Sequence, residues 1–98
     1  MTLQELTEQI QAKVTHADNI DATIKLVTDQ GVVYIDATQS PVVVSNEDKP
    51  ADCDLQISID NLVKLGKGDL NPMMAVMTGK LKIKGDMGTA MKMGQIMG

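Results

Sequence analysis

Seven of the chain's eight methionines lie in its last third, between Met73 and Met97. The chain has no Trp or Phe and a single aromatic residue, Tyr34, so these thioether side chains supply most of its large, deformable apolar volume. Methionine is unbranched and can reshape around an irregular apolar surface. The concentration favours a site for variable apolar ligands, but methionines at helical spacing also pack cores, and composition alone leaves both interpretations open.

The chain carries few residues of the kinds that catalysis requires. His16 is its single histidine and Cys53 its single cysteine, and neither belongs to a recognisable Ser-His-Asp set, Cys-His pair or metal-ligand cluster. We expect His16 to face solvent and Cys53 to pack as a small hydrophobic side chain. Gly66-Lys67-Gly68 lacks the spacing of a phosphate-binding loop. The sequence therefore predicts a protein that is not an enzyme and that uses no cofactor or metal.

A short helix and a strand position the first methionines. Asn71 is a good helix N-cap, Pro72 suits the first helical position, and Gly79 can end the helix, which predicts a helix over residues 72–78. The next segment alternates three lysines with two aliphatic residues: Lys80, Leu81, Lys82, Ile83 and Lys84. This period-two pattern is typical of a strand with one solvent-facing and one buried face. Gly85 interrupts the pattern.

A final helix carries the remaining methionines. It begins after Asp86, whose carboxylate suits the positive N-terminal end of a helix. Apolar and small residues then recur at helical spacing: Met87, Ala90, Met91, Gly94 and Met97. Met93 and Ile96 lie off this stripe, so the helix is apolar on more than one side. Such a helix is buried, contacts a partner or faces a cavity, and a subunit contact through Met93, Ile96 and Met97 stays an alternative.

Several runs in this region follow the order of a known family. They are Asn71-Pro72 with Ala75, then Gly79-Lys80-Leu81-Lys82-Ile83-Lys84-Gly85-Asp86-Met87-Gly88, then Ala90-Met91-Lys92-Met93. Upstream lies Ala51-Asp52-Cys53-Asp54-Leu55-Gln56-Ile57-Ser58. Together these runs resemble the sterol carrier protein domain, the non-specific lipid-transfer family. The resemblance extends from about Ala51 to the end of the chain and is only topological before it.

The resemblance implies a fold and a site. The family's fold is a five-stranded sheet in the order 3-2-1-4-5, with helices on one face and an apolar tunnel between the sheet and the later helices. The resemblance implies that the following residues of this chain line the tunnel: Leu62, Leu65, Met73, Val76, Met77, Leu81, Ile83, Met87 and Met91. Met74 and Met97 are weaker candidates. Val76 stands where many family members have an aromatic residue, which implies a wider or more pliable tunnel.

The start of the chain predicts a docking helix. Thr2 and Glu5 have the T-x-x-E spacing of a capping box. Apolar residues follow on one helical face: Leu3, Leu6, Ile10 and Val14. His16, Asp18 and Asn19 are expected in the loop that leaves this helix.

The middle of the chain predicts four strands and one helix. Alternating residues 22–27 and 32–37 around an Asp29-Gln30-Gly31 turn predict a hairpin. The run 42–44, entered through Pro41, suits an edge strand, and residues 53–58 form a fourth strand with one dry face. A short helix capped by Ser58 or Asp60 carries Leu62, Val63 and Leu65 and is predicted to stop at Gly66. This order of elements predicts an α+β fold, and residues 1–98 are expected to form a single domain.

Charge divides the chain in two. Through Leu62 there are eleven acidic residues against three lysines, whereas from Val63 onward six lysines face two acidic residues, within a net charge of −4. Lysines around an apolar opening attract anionic head groups. The candidates for weak head-group contact are Lys80, Lys82, Lys84 and Lys92. The alternative is that the strand lysines only keep its outer face soluble. The negative net charge and the single tyrosine argue against nucleic acid as a partner.

These observations lead to one functional prediction and one alternative. We expect a non-catalytic carrier that binds fatty acids, fatty acyl-CoA or sterol-like molecules in a Met-lined tunnel, as a monomer or weak dimer with transient membrane-surface contact. The alternative is an interaction or dimerisation module that uses the apolar C-terminal helix. The chain has no apolar run long enough to cross a bilayer and no cationic-then-apolar signal segment, so the expected compartment is cytoplasmic.

Overall fold

A computed structural model describes residues 1–14, 21–39 and 41–97, with side chains through residue 92 in the final helix. This part of the chain forms four helices and five strands. In chain order they are α1 (Leu3–Val14), β1 (Thr23–Thr28), β2 (Gly31–Asp36), β3 (Val43–Ser45), β4 (Cys53–Ile57), α2 (Ile59–Lys67), α3 (Pro72–Met77), β5 (Leu81–Gly85) and α4 (Met87–Met97). None of the helices in these segments is both long enough and apolar enough to cross a membrane.

Helix α1 begins with the predicted capping box. The Glu5 backbone N–H donates to Thr2 Oγ1 at 3.2 Å, and the Thr2 backbone N–H donates to Glu5 Oε1, also at 3.2 Å. The Glu5 carboxylate accepts from the Thr2 backbone N–H and also from the Thr2 hydroxyl at 3.1 Å. These two hydrogen bonds, the backbone one first, lower the pKa of the Glu5 carboxyl. The apolar side of the helix buries Leu6, Ile10 and Val14 against the sheet. The expected loop residues His16, Asp18 and Asn19 lie outside the described residues.

The five strands form one mixed sheet in the order β3-β2-β1-β4-β5. Strand β2 runs antiparallel to both β1 and β3, β4 lies parallel to β1, and β5 returns antiparallel to β4. The order implied by the family resemblance is therefore confirmed. Strand β3 lies at one edge, as Pro41 and its short β-branched run predict, and β5 lies at the other.

One face of the sheet carries the core. Along β1 and β4, Ile24 lies beside Cys53 and Leu26 beside Leu55, and these four side chains are buried. Leu6, Ile10 and Val14 of α1 and Ala90 of α4 join the same cluster. The alternation of buried and half-buried residues in β4 is the period-two pattern that the sequence predicts.

The segment that connects β3 to β4 crosses the opposite face of the sheet. Lys25 and Tyr34, paired across β1 and β2, point to this face because their neighbours Ile24 and Ile35 point to the core. Lys25 Nζ forms an ion pair with Asp48 at 3.0 Å, and the Tyr34 hydroxyl donates to the Pro50 carbonyl oxygen at 3.0 Å. These two contacts hold the crossover that makes β4 parallel to β1.

Several element bounds differ from the sequence prediction by one or two residues, including the ends of α2 and β5. Helix α2, capped by the Ser58 hydroxyl, continues through Gly66 and ends at Gly68, which adopts the left-handed conformation. Gly68 and Asp69 donate backbone hydrogen bonds to Leu65 and Lys64, so the last carbonyls are satisfied two residues later than predicted. Strand β5 also includes Gly85, which pairs with Cys53, instead of stopping before it.

Candidate functional site

Helix α3 is fixed by its ends and by one small residue. Asn71 Oδ1 accepts from the Met73 backbone N–H at 2.8 Å, and Pro72 occupies the first turn, as predicted. At the other end, the Thr78 hydroxyl donates to the Met74 carbonyl oxygen at 2.7 Å. Ala75 is fully buried, and the helix packs against β5. A small residue at the contact lets the short helix lie close to its neighbours.

The large side chains of α3 face solvent. Met73 is 73% exposed and Met77 is 77% exposed, and their spacing of four residues places them on the same side of the helix. Met74 and Val76 are also exposed. Helix α3 is therefore buried at Ala75, while its large apolar side chains are exposed to solvent.

Helix α4 repeats this arrangement at its first turns. Asp86 caps it, because Oδ2 accepts from the Thr89 hydroxyl at 2.9 Å and Oδ1 from the Gly88 backbone N–H at 3.0 Å. These hydrogen bonds, with Thr89 first, lower the pKa of the Asp86 carboxyl. Thr89 and Ala90 are buried, whereas Met87 and Met91, four residues apart, are 54% and 68% exposed. The cap and the buried side therefore position two more outward methionines.

Strand β5 lies between these helices in the chain and contacts both of them. Leu81 and Ile83 pair with Ile57 and Leu55 and are half-buried against the core. Leu62 and Leu65 of α2 are half-buried against the same core. The predicted site residues thus fall into a half-buried aliphatic group, Leu62, Leu65, Leu81 and Ile83, and an exposed group, Met73, Val76, Met77, Met87 and Met91.

We define the methionine surface as the exposed large apolar residues of α3 and α4: Met73, Met74, Val76, Met77, Met87 and Met91. They are six of the eight exposed large hydrophobic residues in the described part of the chain. Scattered exposed hydrophobic residues are ordinary, whereas exposed apolar residues concentrated on two helices that contact one strand are a candidate for a binding surface. The side chains of Met93, Ile96 and Met97, the predicted subunit contact, lie outside the described residues.

Four lysines accompany the methionine surface. Lys80 follows α3, and Lys92 follows Met91 on α4. Lys82 and Lys84 pair with Gln56 and Asp54 and point to the sheet face opposite Leu81 and Ile83. All four lysines are exposed. Their placement leaves both sequence interpretations open, since a soluble outer strand face and a head-group contact each require exposed ammonium groups.

The described residues offer little support for a reactive thiol or a metal site. Cys53 is fully buried, and burial raises the pKa of its thiol, so it packs as a small hydrophobic side chain as predicted. No group of three or more His, Cys, Asp or Glu side chains within residues 1–14, 21–39 and 41–97 has a geometry that could hold a metal ion. His16 lies outside this range.

The way in which β5 and α4 are joined to the sheet was not predicted from the sequence. Gly85 adopts a positive φ of 97°, and a Cβ there would overlap the Asp52 carbonyl oxygen. The Asp86 backbone N–H donates to the same oxygen at 3.0 Å. The sequence does place a glycine between the alternating strand and the capping aspartate. That pattern is equally typical of a strand that simply ends, so it did not predict the contact with Asp52.

Comparison with known proteins places the chain in a family. A model of the SCP-2 sterol transfer family matches residues 2–98. The chain belongs to this family. Hydroxysteroid dehydrogenase-like protein 2 of Danio rerio is 42% identical to it over 69 residues, which are 68% of this chain. The chain covers only 17% of that relative, well under two thirds of its length.

Two solved structures of sterol carrier proteins are similar to this one. The apo form of sterol carrier protein 2 from Yarrowia lipolytica has a TM-score of 0.70 and 24% identity, covering 95% of this chain and 77% of its own. Palmitated SCP2L2 from Aedes aegypti has a TM-score of 0.68 and 20% identity, covering 99% and 95% respectively. At these identities the comparison shows a shared fold. Membership of the SCP-2 sterol transfer family supports lipid binding or transfer as the general function of a domain type that is generally non-catalytic.

Proposed function

We propose that this protein binds and carries a lipid against the methionine surface and the aliphatic residues beneath it. Fatty acids, fatty acyl-CoA and sterol-like molecules are the ligand classes. The observation that carries the proposal is the exposure of Met73, Met77, Met87 and Met91 on two helices that both pack against β5. Apolar surface left in water is the surface that a lipid would cover.

The proposed inner wall consists of Leu62, Leu65, Leu81 and Ile83, which are already packed against the core. The methionines would close over the ligand as a pliable outer wall, which is how the tunnel implied by the family resemblance would form. Burial of one methionine side chain contributes about 1.5 to 3 kcal/mol. Few polar groups lie among these residues, so we expect affinity to depend on apolar area more than on head-group identity.

Palmitate is the probe for the first test, because a family structure is described as palmitated. We expect Met73→Gln together with Met77→Gln to weaken palmitate binding by about tenfold or more, since two apolar contacts are replaced by polar side chains of similar length. Equilibrium displacement of a fluorescent fatty acid measures the affinity. Because both residues are mostly exposed, the melting temperature of the ligand-free protein should stay close to that of the wild type.

Val43→Thr is the matched control. Val43 is 44% exposed but belongs to β3 at the opposite edge of the sheet, so its replacement by a polar isostere should leave palmitate affinity unchanged. Equal affinity in the wild type and the double methionine variant would contradict the proposal. Native mass spectrometry separates the alternative function: a ligand-free dimer that takes up no lipid would assign the apolar helices to subunit association.

A further inference from the structure

Strand β5 has an edge that no other strand covers. It is the last strand in the sheet order, so β4 lies on one side of it and, within the described residues, no strand lies on the other. Gly85, which has no side chain to shield its backbone, is exposed, and so are Lys82 and Lys84. The backbone of β5 is therefore open to solvent along this side, which is the condition that an added strand requires.

The backbone groups that point outward from β5 follow from the ladder. The Asp86 backbone N–H donates to the Asp52 carbonyl oxygen at 3.0 Å, in register with the pairing of β4 and β5. Hydrogen-bonded pairs alternate along an antiparallel ladder, so every second residue before Asp86 bonds to β4. The N–H and C=O groups of the residues between them, Leu81 and Ile83, point away from β4. No backbone group in the described segments bonds to them on that side.

The side chains of β5 give the strand one charged face and one apolar face. Lys82 and Lys84 are exposed on the charged face, and the residues that alternate with them are half-buried toward the core. Lys84 lies beside Asp54 of β4, whereas Lys82 lies beside the uncharged Gln56. An incoming strand would therefore meet positive charge on one face, strongest at Lys82, and aliphatic side chains on the other.

We propose that the open edge of β5, residues 81–85, binds an extended acidic segment of a partner protein as a sixth strand of the sheet. The outward N–H and C=O groups of Leu81 and Ile83 supply the backbone hydrogen bonds. Acidic side chains at alternate positions of the segment pair with Lys82 and Lys84, and apolar side chains between them cover the half-buried face. This inference goes beyond the proposed lipid binding, because it uses the backbone and lysines of β5 and not the methionine surface.

Charge argues against a second copy of this chain as the occupant. In a symmetric antiparallel pair of β5 strands centred on Ile83, Lys82 of each copy lies opposite Lys84 of the other, and like charges directly opposite destabilise a ladder. The acidic segment after β3 is poorly suited to a head-to-tail contact, because Asp48 is ion-paired to Lys25 of its own sheet at 3.0 Å. A separate acidic segment meets neither obstacle.

Two synthetic peptides test the charge requirement: an acidic peptide that alternates valine with glutamate, and a basic peptide with lysine at each glutamate position. We expect the wild type to bind the acidic peptide more tightly at low salt, as measured by fluorescence anisotropy. The net charge of −4 favours the basic peptide, so a preference for the acidic one is specific to the binding site. Lysines on an edge strand can also serve only to prevent pairing, and a wild type that binds no acidic peptide would overturn the proposal.

Charge reversal locates the site. Lys82→Glu should weaken binding of the acidic peptide by about fivefold or more and strengthen binding of the basic peptide, because an opposite-charge pair becomes a like-charge pair and the reverse. Lys67→Glu makes the same change at an exposed position of α2 and should leave both affinities close to those of the wild type. Equal effects of the two substitutions would overturn the proposal.

Amide hydrogen exchange measured by NMR distinguishes an added strand from attraction between charges alone. Saturation with the acidic peptide should slow exchange at Leu81 and Ile83 by about tenfold or more, because their outward N–H groups become hydrogen-bonded. The amides of Lys82 and Lys84, which already bond to β4, should change little. Bound peptide that leaves Leu81 and Ile83 unprotected would contradict strand addition. A wild-type dimer in sedimentation velocity that the acidic peptide dissociates would assign the edge to self-association instead.

Discussion

Methionine is the residue on which the proposed function depends. Met77, Met73 and Met91 are the three most exposed large hydrophobic residues in the described part of the chain, whereas Ile24 and Ile35 of the core are fully buried. Leucine at these positions would expose a similar apolar area, but its branched side chain can adopt fewer conformations than that of methionine. The thioether also brings a reactivity that leucine lacks, and this reactivity provides a test.

We expect hydrogen peroxide to oxidise the methionine surface and to weaken palmitate binding. Each thioether sulfur takes one oxygen atom from peroxide, which is reduced to water, and the resulting sulfoxide is polar. Oxidation of Met73, Met77 and Met91 should lower palmitate affinity by about tenfold or more, because apolar contacts are replaced by polar groups. Peptide mass spectrometry identifies the oxidised residues, and the displacement assay measures the affinity.

A variant with leucine at every methionine of the surface, Met73→Leu, Met74→Leu, Met77→Leu, Met87→Leu and Met91→Leu, is the control for this experiment. It keeps the apolar area, so it should bind palmitate and keep that affinity after peroxide treatment. Cys53 is present in both proteins, and because burial raises the pKa of its thiol, little thiolate is available to react. Unchanged affinity in a wild type in which Met73, Met77 and Met91 are fully oxidised would exclude these residues from the binding surface.

At the scale of elements, the connection between β4, β5 and α4 fixes where the outward methionines lie. Gly85 approaches the Asp52 carbonyl oxygen so closely that only glycine fits, and the positive φ disfavours other residues as well. Asp86 then donates its backbone N–H to that oxygen and caps α4 with its carboxylate. Two consecutive residues thus end the sheet and orient the helix.

Gly85→Ala should destabilise the protein by about 2 kcal/mol or more, through the overlap with Asp52 and the strained φ. Gly66→Ala is the matched control. Gly66 lies inside α2 with no atom near the added Cβ, so alanine there should stabilise by roughly 0.5 to 1 kcal/mol through helix propensity. Urea denaturation measures both changes. A Gly85→Ala variant as stable as the wild type would show that this connection tolerates a side chain.

Local chemistry predicted most elements, and the exceptions depend on hydrogen bonds and close contacts whose partners the sequence pattern did not identify. The Thr2–Glu5 capping box and the Asn71 cap depend on residues three or fewer apart, so they were readable from the sequence. Gly66 was wrongly predicted to end α2, because the actual end depends on hydrogen bonds from Gly68 and Asp69 back to the preceding turn. Gly85 likewise depends on Asp52, which is far away in sequence.

At the scale of the whole molecule, the alternation of apolar and polar residues identified the strands but not which strands lie side by side in the sheet. The hydrophobic pattern of Cys53, Leu55 and Ile57 shows which face is buried, yet nothing in it requires β4 to lie parallel to β1. The sheet order came from the family resemblance and is confirmed by the structure. The tunnel lining stays a prediction, since periodicity cannot determine how far α3 and α4 stand from the sheet.

The most direct test of the account follows the methionine methyl groups while palmitate is added. Protein labelled with carbon-13 at these methyls gives one NMR signal per residue, and signals assigned by single Met→Leu substitutions report each position. The proposed function predicts saturable shifts for the methyl signals of Met73, Met77, Met87 and Met91, whereas the signal of Met1, at the start of the chain, should not move. Palmitate binding that shifts signals elsewhere and leaves these four methyls unchanged would contradict it.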